Sequence, residues 1–177
     1  NNLRAQQGLA ALKKYNVNKN IQNPPQEVID QLVNLYNQGQ FAVVADQAEV
    51  LTKQYPTAIL IWNILGASRS KLGMFDEAIE AYKKTISLKP DYVEAYNNMG
   101  LALRDQGKLD EAIDTFKKAI LIYPNYAESY NNMGVVLKDQ GKFIEAIDAY
   151  KKSISLKPNY VAAYSNIGVS LKKLGKL

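Results

Sequence analysis

A five-residue stretch of the sequence occurs twice, 34 positions apart, as Tyr96-Asn97-Asn98-Met99-Gly100 and Tyr130-Asn131-Asn132-Met133-Gly134. The identity extends outward from these residues. When residues 93–126 are aligned with residues 127–160, 21 of 34 positions are identical. The chain therefore contains an internal repeat, and a repeat of this length predicts a small structural unit that stacks on its own copies.

Glycine and proline mark the boundaries of the repeat. Three series recur every 34 residues: Pro56, Pro90, Pro124 and Pro158; Gly66, Gly100, Gly134 and Gly168; and Gly39, Gly73, Gly107, Gly141 and Gly175. Glycine closes a helix by adopting a left-handed conformation, and proline stops one. Each repeat therefore predicts two helices, with Asp91 and Glu94 spaced as a capping box at the start of one first helix.

The apolar residues of the second helix recur with the period of an α-helix. Between residues 109 and 123 they predict one buried face. Gly100 in the first helix and Ala112 in the second leave room for close approach, with Phe116 filling the seam around them. A pair of helices this short cannot bury its apolar face alone, so neighbouring pairs are expected to stack.

Composition excludes most catalytic and metal-binding chemistry. The 177 residues include no Cys and no His, so we predict no catalytic activity, no cofactor and no metal site. The net charge is +5, but the lysines lie beside acidic residues on mixed helix faces, which argues against nucleic-acid binding. No apolar run approaches the length that spans a bilayer, so we predict no membrane insertion.

The repeat resembles the tetratricopeptide repeat. One unit carries Trp62, Leu65-Gly66, Ala78, Tyr82 and Pro90 at the offsets of that family, and the two following units match as well, departing only at Ser153. Thr85 and Arg69 are departures in the first of these units. The resemblance implies an all-α fold, a right-handed α-solenoid of helix-turn-helix repeats.

The resemblance also implies a division of the chain. We predict a leading helix and linker in residues 1–23, with Ala5, Leu9 and Leu12 on one stripe, and a repeat domain in residues 24–177. Its units are a degenerate repeat at about 25–58, repeats at 59–92, 93–126 and 127–160, and a half repeat at 161–177. The start without Met and the half repeat suggest a piece of a longer protein. The start of the repeat domain, around Pro24-Pro25, is similar to bacterial tetratricopeptide regions that precede sulfotransferase or glycosyltransferase domains.

In the tetratricopeptide family the first helices line a concave groove that holds a peptide or protein partner. Carried onto this sequence, the groove comprises Asn63, Asn97, Asn98, Leu101, Arg104, Asn131, Asn132, Val135, Lys138, Asn166 and Lys172. Asn98, Asn132 and Asn166 would form a ladder of amides for a peptide backbone. The alternative is that asparagine occurs here only because the position is exposed. The basic row of Arg104, Lys138 and Lys172 would receive acidic groups, although the aspartates next to two of them partly cancel its field.

The sequence is compatible with two alternatives to a peptide-binding scaffold. One is a substrate-recognition arm of a larger bacterial transferase. The other is weak self-association, through a seam where the second helix of the half repeat would pack; that seam comprises Tyr164, Ile167 and Leu171.

Overall fold

The computed structural model describes residues 23–175, which form nine α-helices and no strand. The fold is an all-α helical repeat, as the sequence predicts. Residues 1–22, which include the predicted leading helix, lie outside the described residues, as do residues 176–177. No helix in the described range is both long and apolar enough to cross a membrane. The described residues divide into two compact units, the first ending at Lys89 and the second beginning at Pro90.

The first unit contains the degenerate repeat and the one that follows it. Its four helices are α1 (Gln26–Asn37), α2 (Phe41–Gln54), α3 (Ile59–Lys71) and α4 (Phe75–Leu88). Leu32 replaces the expected first glycine and Val44 replaces the expected alanine, and both side chains are fully buried in the core of this unit. The interface between α1 and α2 in the degenerate repeat is therefore still packed, by branched side chains where the other repeats have small residues.

The second unit contains five helices. They are α5 (Val93–Asp105), α6 (Leu109–Ile122), α7 (Ala127–Asp139), α8 (Phe143–Leu156) and α9 (Val161–Lys173). The first helices α5, α7 and α9 begin 34 residues apart, at the residues where the repeat predicts them. α5 packs against α6, α7 packs against α8, and α9 packs against α8 of the preceding repeat. α7 also contacts α5 and α9 directly.

The turns follow the glycine prediction, whereas the capping box is wrong. Gly107 and Gly141 have φ of +84° and +77°, a conformation that other residues rarely adopt. The N-cap of α5 is Tyr92, and its side chain makes no capping hydrogen bond among the described residues. Asp91 therefore lies one residue too early to cap the helix.

A close approach of glycine to an aromatic ring joins the two helices of each complete repeat. A Cβ atom added to Gly134 would lie 2.6 Å from Cε1 of Tyr150, and one added to Gly100 would lie 2.7 Å from the ring of Phe116. The same contact occurs in the first unit between Gly66 and the Tyr82 ring, at 2.7 Å. These aromatic side chains are buried, so the rings cannot easily move away.

The departures from the family pattern have identifiable partners. The hydroxyl of Ser153 donates a hydrogen bond of 2.8 Å to the carbonyl of Ala127, which ties the end of α8 to the start of α7. Arg69 replaces an apolar residue, and its guanidinium binds Glu49 of α2 at 2.7 Å. Both polar side chains are thereby satisfied where the family has apolar ones.

We predict that Gly134→Ala destabilises the protein by about 1–3 kcal/mol, because the new methyl group overlaps a buried ring. The matched control is Gly168→Ala. Gly168 occupies the same repeat position in α9, but nothing in the described chain lies within 4 Å of its added Cβ. That control should stabilise α9 by up to about 1 kcal/mol, since alanine is the better helix former. Thermal unfolding followed by circular dichroism measures both effects, and equal effects would contradict the prediction.

Candidate functional site

The first helices of the second unit form one continuous face, and asparagine amides join them. Nδ2 of Asn132 in α7 donates to Oδ1 of Asn97 in α5 at 3.0 Å. One repeat later, Nδ2 of Asn166 in α9 donates to Oδ1 of Asn131 at 3.2 Å. Two of the three amides predicted to form a ladder for a peptide, those of Asn132 and Asn166, thus bind an asparagine of the preceding first helix, with part of their hydrogen-bonding capacity left over.

Adjacent asparagines in one helix have different environments. Asn97 and Asn131 are each only 6% exposed, and Asn97 also accepts a hydrogen bond from Ser129 at 3.2 Å. Asn98 is half-buried. In the first unit, Oδ1 of Asn63 is buried and has no partner within the described residues. The second residue of each asparagine pair is therefore the one that could bind a partner.

An apolar row crosses the same face one helical turn further along. Leu101 lies four residues after Asn97, and Val135 and Val169 occupy the equivalent positions in α7 and α9. Leu101 and Val135 are half-buried, and Val169 is 46% exposed. Apolar side chains that remain in contact with water on a continuous face are typical of a binding surface.

The predicted basic row is partly neutralised. Nε of Arg104 binds Oδ2 of Asp139 in the next repeat at 2.8 Å, and Nζ of Lys138 lies 3.7 Å from the other carboxylate oxygen. In α9 the aspartate is replaced by Lys173, which is exposed together with Lys172. Neither lysine has an ion pair in the part of the chain that the structure describes. The excess positive charge of the face is therefore concentrated at its α9 end.

The opposite side of α7 borders a second groove that the sequence analysis did not find. A cavity of about 570 Å³ lies between α6 and α8, with Tyr130, Met133 and Leu137 of α7 in its floor and acidic and lysine side chains along its walls. Its apolar residues match the helix-packing pattern of the repeat, so the sequence offers no signal that separates them from the core. The described residues contain no cluster of acidic side chains that could hold a metal ion.

A lysine binds a tyrosine ring and a glutamate at the edge of the face where the first helices begin. Nζ of Lys157 lies 2.9 Å from Oε1 of Glu128 and 4.8 Å from the centre of the Tyr160 ring. The hydrogen bond from Lys157 lowers the pKa of Glu128. Burial raises the pKa of Tyr126 to about 12, with the carboxylates of Glu128 and Glu94 adding to the effect. The edge thus combines tyrosines with acidic side chains.

The predicted self-association seam is partly exposed. Tyr164 is exposed, and its hydroxyl donates to the carbonyl of Pro158 at 3.1 Å. Ile167 and Leu171 are half-buried. Association through these three residues stays a prediction.

Replacement of Asn97 by alanine should destabilise the protein, whereas the same replacement at Asn98 should not. Asn97→Ala removes the acceptor for two donors, Ser129 and Asn132, and leaving such groups buried and unsatisfied costs about 1–3 kcal/mol. Asn98→Ala removes a half-buried amide, with an expected change within about 0.5 kcal/mol. Denaturant unfolding of the two variants measures the difference. Equal losses in the free energy of unfolding would show that the hydrogen bonds of Asn97 between repeats do not stabilise the fold.

Replacement of Lys157 by methionine should raise the pKa of Glu128 towards its usual value, because the hydrogen bond that favours the carboxylate is lost. The wild-type pair stabilises the fold above the pKa of an unfolded glutamate, and this contribution is lost as the pH falls through the lower pKa of the folded state. Carboxyl-carbon NMR titration measures the shift. Lys152→Met removes another exposed charge, in α8, and is the control. An unchanged Glu128 pKa in Lys157→Met would contradict the assignment.

Comparison with known proteins identifies the repeat. A sequence model described as tetratricopeptide repeat matches residues 91–159, and one described as TPR repeat matches residues 66–103. Among curated proteins, the peroxisomal targeting signal receptor of Kluyveromyces lactis is 37% identical over 60 residues, which are 34% of this chain and 11% of the receptor. The chain thus matches about a tenth of that receptor's length.

Solved structures share the fold. The crystal structure of MamA is 30% identical, with a TM-score of 0.72, and the alignment covers 81% of this chain and 84% of MamA. The first TPR domain of Spaghetti, bound to the HSP90 peptide SRMEEVD, is 24% identical with a TM-score of 0.63, over 66% of this chain and 93% of that domain. Tetratricopeptide repeats are protein-interaction scaffolds. On its repeat sequence, its helices and these matches, the chain belongs to the tetratricopeptide repeat family.

Proposed function

We propose that the chain binds a segment of a partner protein along the face formed by α5, α7 and α9. The observation that carries this proposal is the apolar row of Leu101, Val135 and Val169, which remains accessible on a face held together by the amide bonds between repeats. Rigid helices present these side chains at regular spacing, so a partner can bind without the cost of ordering the site.

The polar groups beside the row suit a peptide chain. The half-buried amide of Asn98 offers both a donor and an acceptor, and the amides of Asn132 and Asn166 keep a second N–H group each. These groups can bind the backbone of a partner whose apolar side chains cover the row. An interface of this type combines an apolar centre with a polar rim.

The charge of the face favours acidic groups in the partner at one end. Lys172 and Lys173 lie at the α9 end, where no carboxylate of the described chain pairs with them. Their charge attracts an acidic segment and orients it along the face. Glu94, at the other edge, carries the opposite charge.

The similarity to a targeting-signal receptor supports a receptor or scaffold role. A substrate-recognition arm of a larger transferase, the second hypothesis from the sequence, would use the same face to hold a protein substrate. Fusion to a sulfotransferase or glycosyltransferase stays a prediction, and so does the absence of catalysis in this chain.

Peptides selected from a random display library for binding to the chain provide a probe for the face. We expect Val135→Glu to raise their dissociation constant at least about tenfold, which corresponds to about 1.4 kcal/mol. The physical reason is that an apolar contact is replaced by a carboxylate that the bound peptide would desolvate. Fluorescence anisotropy with labelled peptides measures the affinity.

The matched control is Ile144→Glu, which introduces the same charge at an exposed apolar position of α8, away from the face. It should leave the affinity unchanged. Thermal unfolding confirms that both variants fold. Peptides that lose affinity for Ile144→Glu, or keep it for Val135→Glu, would contradict the proposal.

A further inference from the structure

The third repeat departs from the fourth at the end of its second helix. The positions of Ser155 and Lys157 in the fourth repeat are occupied by Leu121 and Tyr123 in the third. Leu121 is 83% exposed and Tyr123 is 51% exposed, so neither side chain is needed to fill the core. At these two surface positions the third repeat has a leucine and a tyrosine where the fourth has a serine and a lysine.

The fourth repeat shows what this position holds when the lysine is present. The ammonium of Lys157 lies over the Tyr160 ring, 4.8 Å from its centre, and binds Glu128 at 2.9 Å. The arrangement combines a cation–π contact with an ion pair. It is a complete cation site whose occupant comes from the same chain.

The third repeat carries the same tyrosine and glutamate but no lysine at the equivalent position. Tyr126 and Glu94 are equivalent to Tyr160 and Glu128, and Tyr123 stands in place of the lysine. The rings of Tyr123 and Tyr126 are 6.2 Å apart and inclined by 46°. Glu94 is exposed and has no ion pair among residues 23–175, yet it lies near enough to Tyr126 to contribute to the raised pKa of that phenol, after burial and Glu128.

We propose that Glu94, Tyr123 and Tyr126, here called the Tyr123 cluster, bind a lysine or arginine side chain of the partner protein. The partner's cation would occupy the place that Lys157 occupies one repeat later, with the Tyr123 ring as an additional π face. This inference rests on the proposed function, because Glu94 is in the first turn of α5, at the edge of the partner-binding face.

Charge complementarity selects a cation over other occupants. The cluster offers a carboxylate that pairs with no cation of the described chain and two electron-rich ring faces, all of which attract positive charge and repel an acidic side chain. At the α9 end the face is basic. A partner that satisfies both ends carries a cationic side chain at the Tyr123 cluster and acidic side chains near Lys172 and Lys173.

NMR titration with a short cationic peptide tests the cluster directly. The probe is acetyl-Gly-Lys-Gly-amide, and the control peptide carries norleucine, which has the same aliphatic stem without the ammonium. The aromatic ¹H–¹³C signals of Tyr123 and Tyr126 should shift with the lysine peptide and move toward saturation at millimolar concentrations. The norleucine peptide should give shifts at least about threefold smaller, since it lacks the cation–π attraction.

Two variants exchange the residues of the two repeats. Tyr123→Lys should fill the site from within and abolish the response of Tyr126, as Lys157 fills the site at Tyr160. Lys157→Tyr should open a second site, so that the Tyr160 ring begins to respond to the peptide. Both positions are exposed, and each substitution introduces the residue that the other repeat already carries.

Equal shifts with the two peptides, or an unchanged response of Tyr126 in Tyr123→Lys, would overturn the inference and assign Tyr123 to ring packing alone. The tripeptide is too short to span the apolar row, so its binding does not depend on Leu101 or Val135. If the tyrosine signals do not respond to the lysine peptide but Val135→Glu still weakens binding of the selected peptides, the cation site is rejected and the proposed function stands. The reverse result would reject the groove and retain the cluster.

Discussion

The close contact between a glycine of one helix and an aromatic ring of the next determines how each complete repeat is built. At Gly66, Gly100 and Gly134 even a methyl group would lie under 3 Å from a buried ring. The backbone of the first helix therefore lies directly on Tyr82, Phe116 or Tyr150. Because this contact recurs every 34 residues within the chain, the first helices of the second unit occupy equivalent positions and can bind each other.

The face proposed to bind a partner is a consequence of this regular placement. Asn132 reaches Asn97, and Asn166 reaches Asn131, over the same sequence separation of 35 residues. Arg104 binds Asp139 with that separation as well. These bonds use polar side chains to connect neighbouring helices and leave the apolar row between them open to a partner. Residues that join the repeats and residues proposed to contact a partner thus lie close together along a single helix.

The sequence predicts the helices almost completely, since glycine and proline specify where each one ends and the repeat confirms each boundary several times. It mispredicts the cap of α5, because Tyr92 occupies the N-cap position that a capping box requires for Asp91. The sequence also cannot separate Asn97 from Asn98. Two adjacent asparagines have the same chemistry, and only the packing of neighbouring helices decides which one is buried. The Tyr123 cluster was missed for a different reason: its signal is a departure from the repeat, visible at Lys157 and Tyr123, and it acquires meaning only from the contact that Lys157 makes.

We expect a partner segment to lie on α5, α7 and α9, and methyl NMR of the chain with a bound library-selected peptide reports where the segment binds. Selective labelling of Leu, Val and Ile methyl groups reports on both sides of α7. The largest shifts should occur at Leu101, Val135 and Val169, while the signal of Ile113, which borders the cavity between α6 and α8, should stay unchanged. Shifts confined to Ile113 and the other residues of that cavity would contradict it and place the binding site on the opposite side of the repeats.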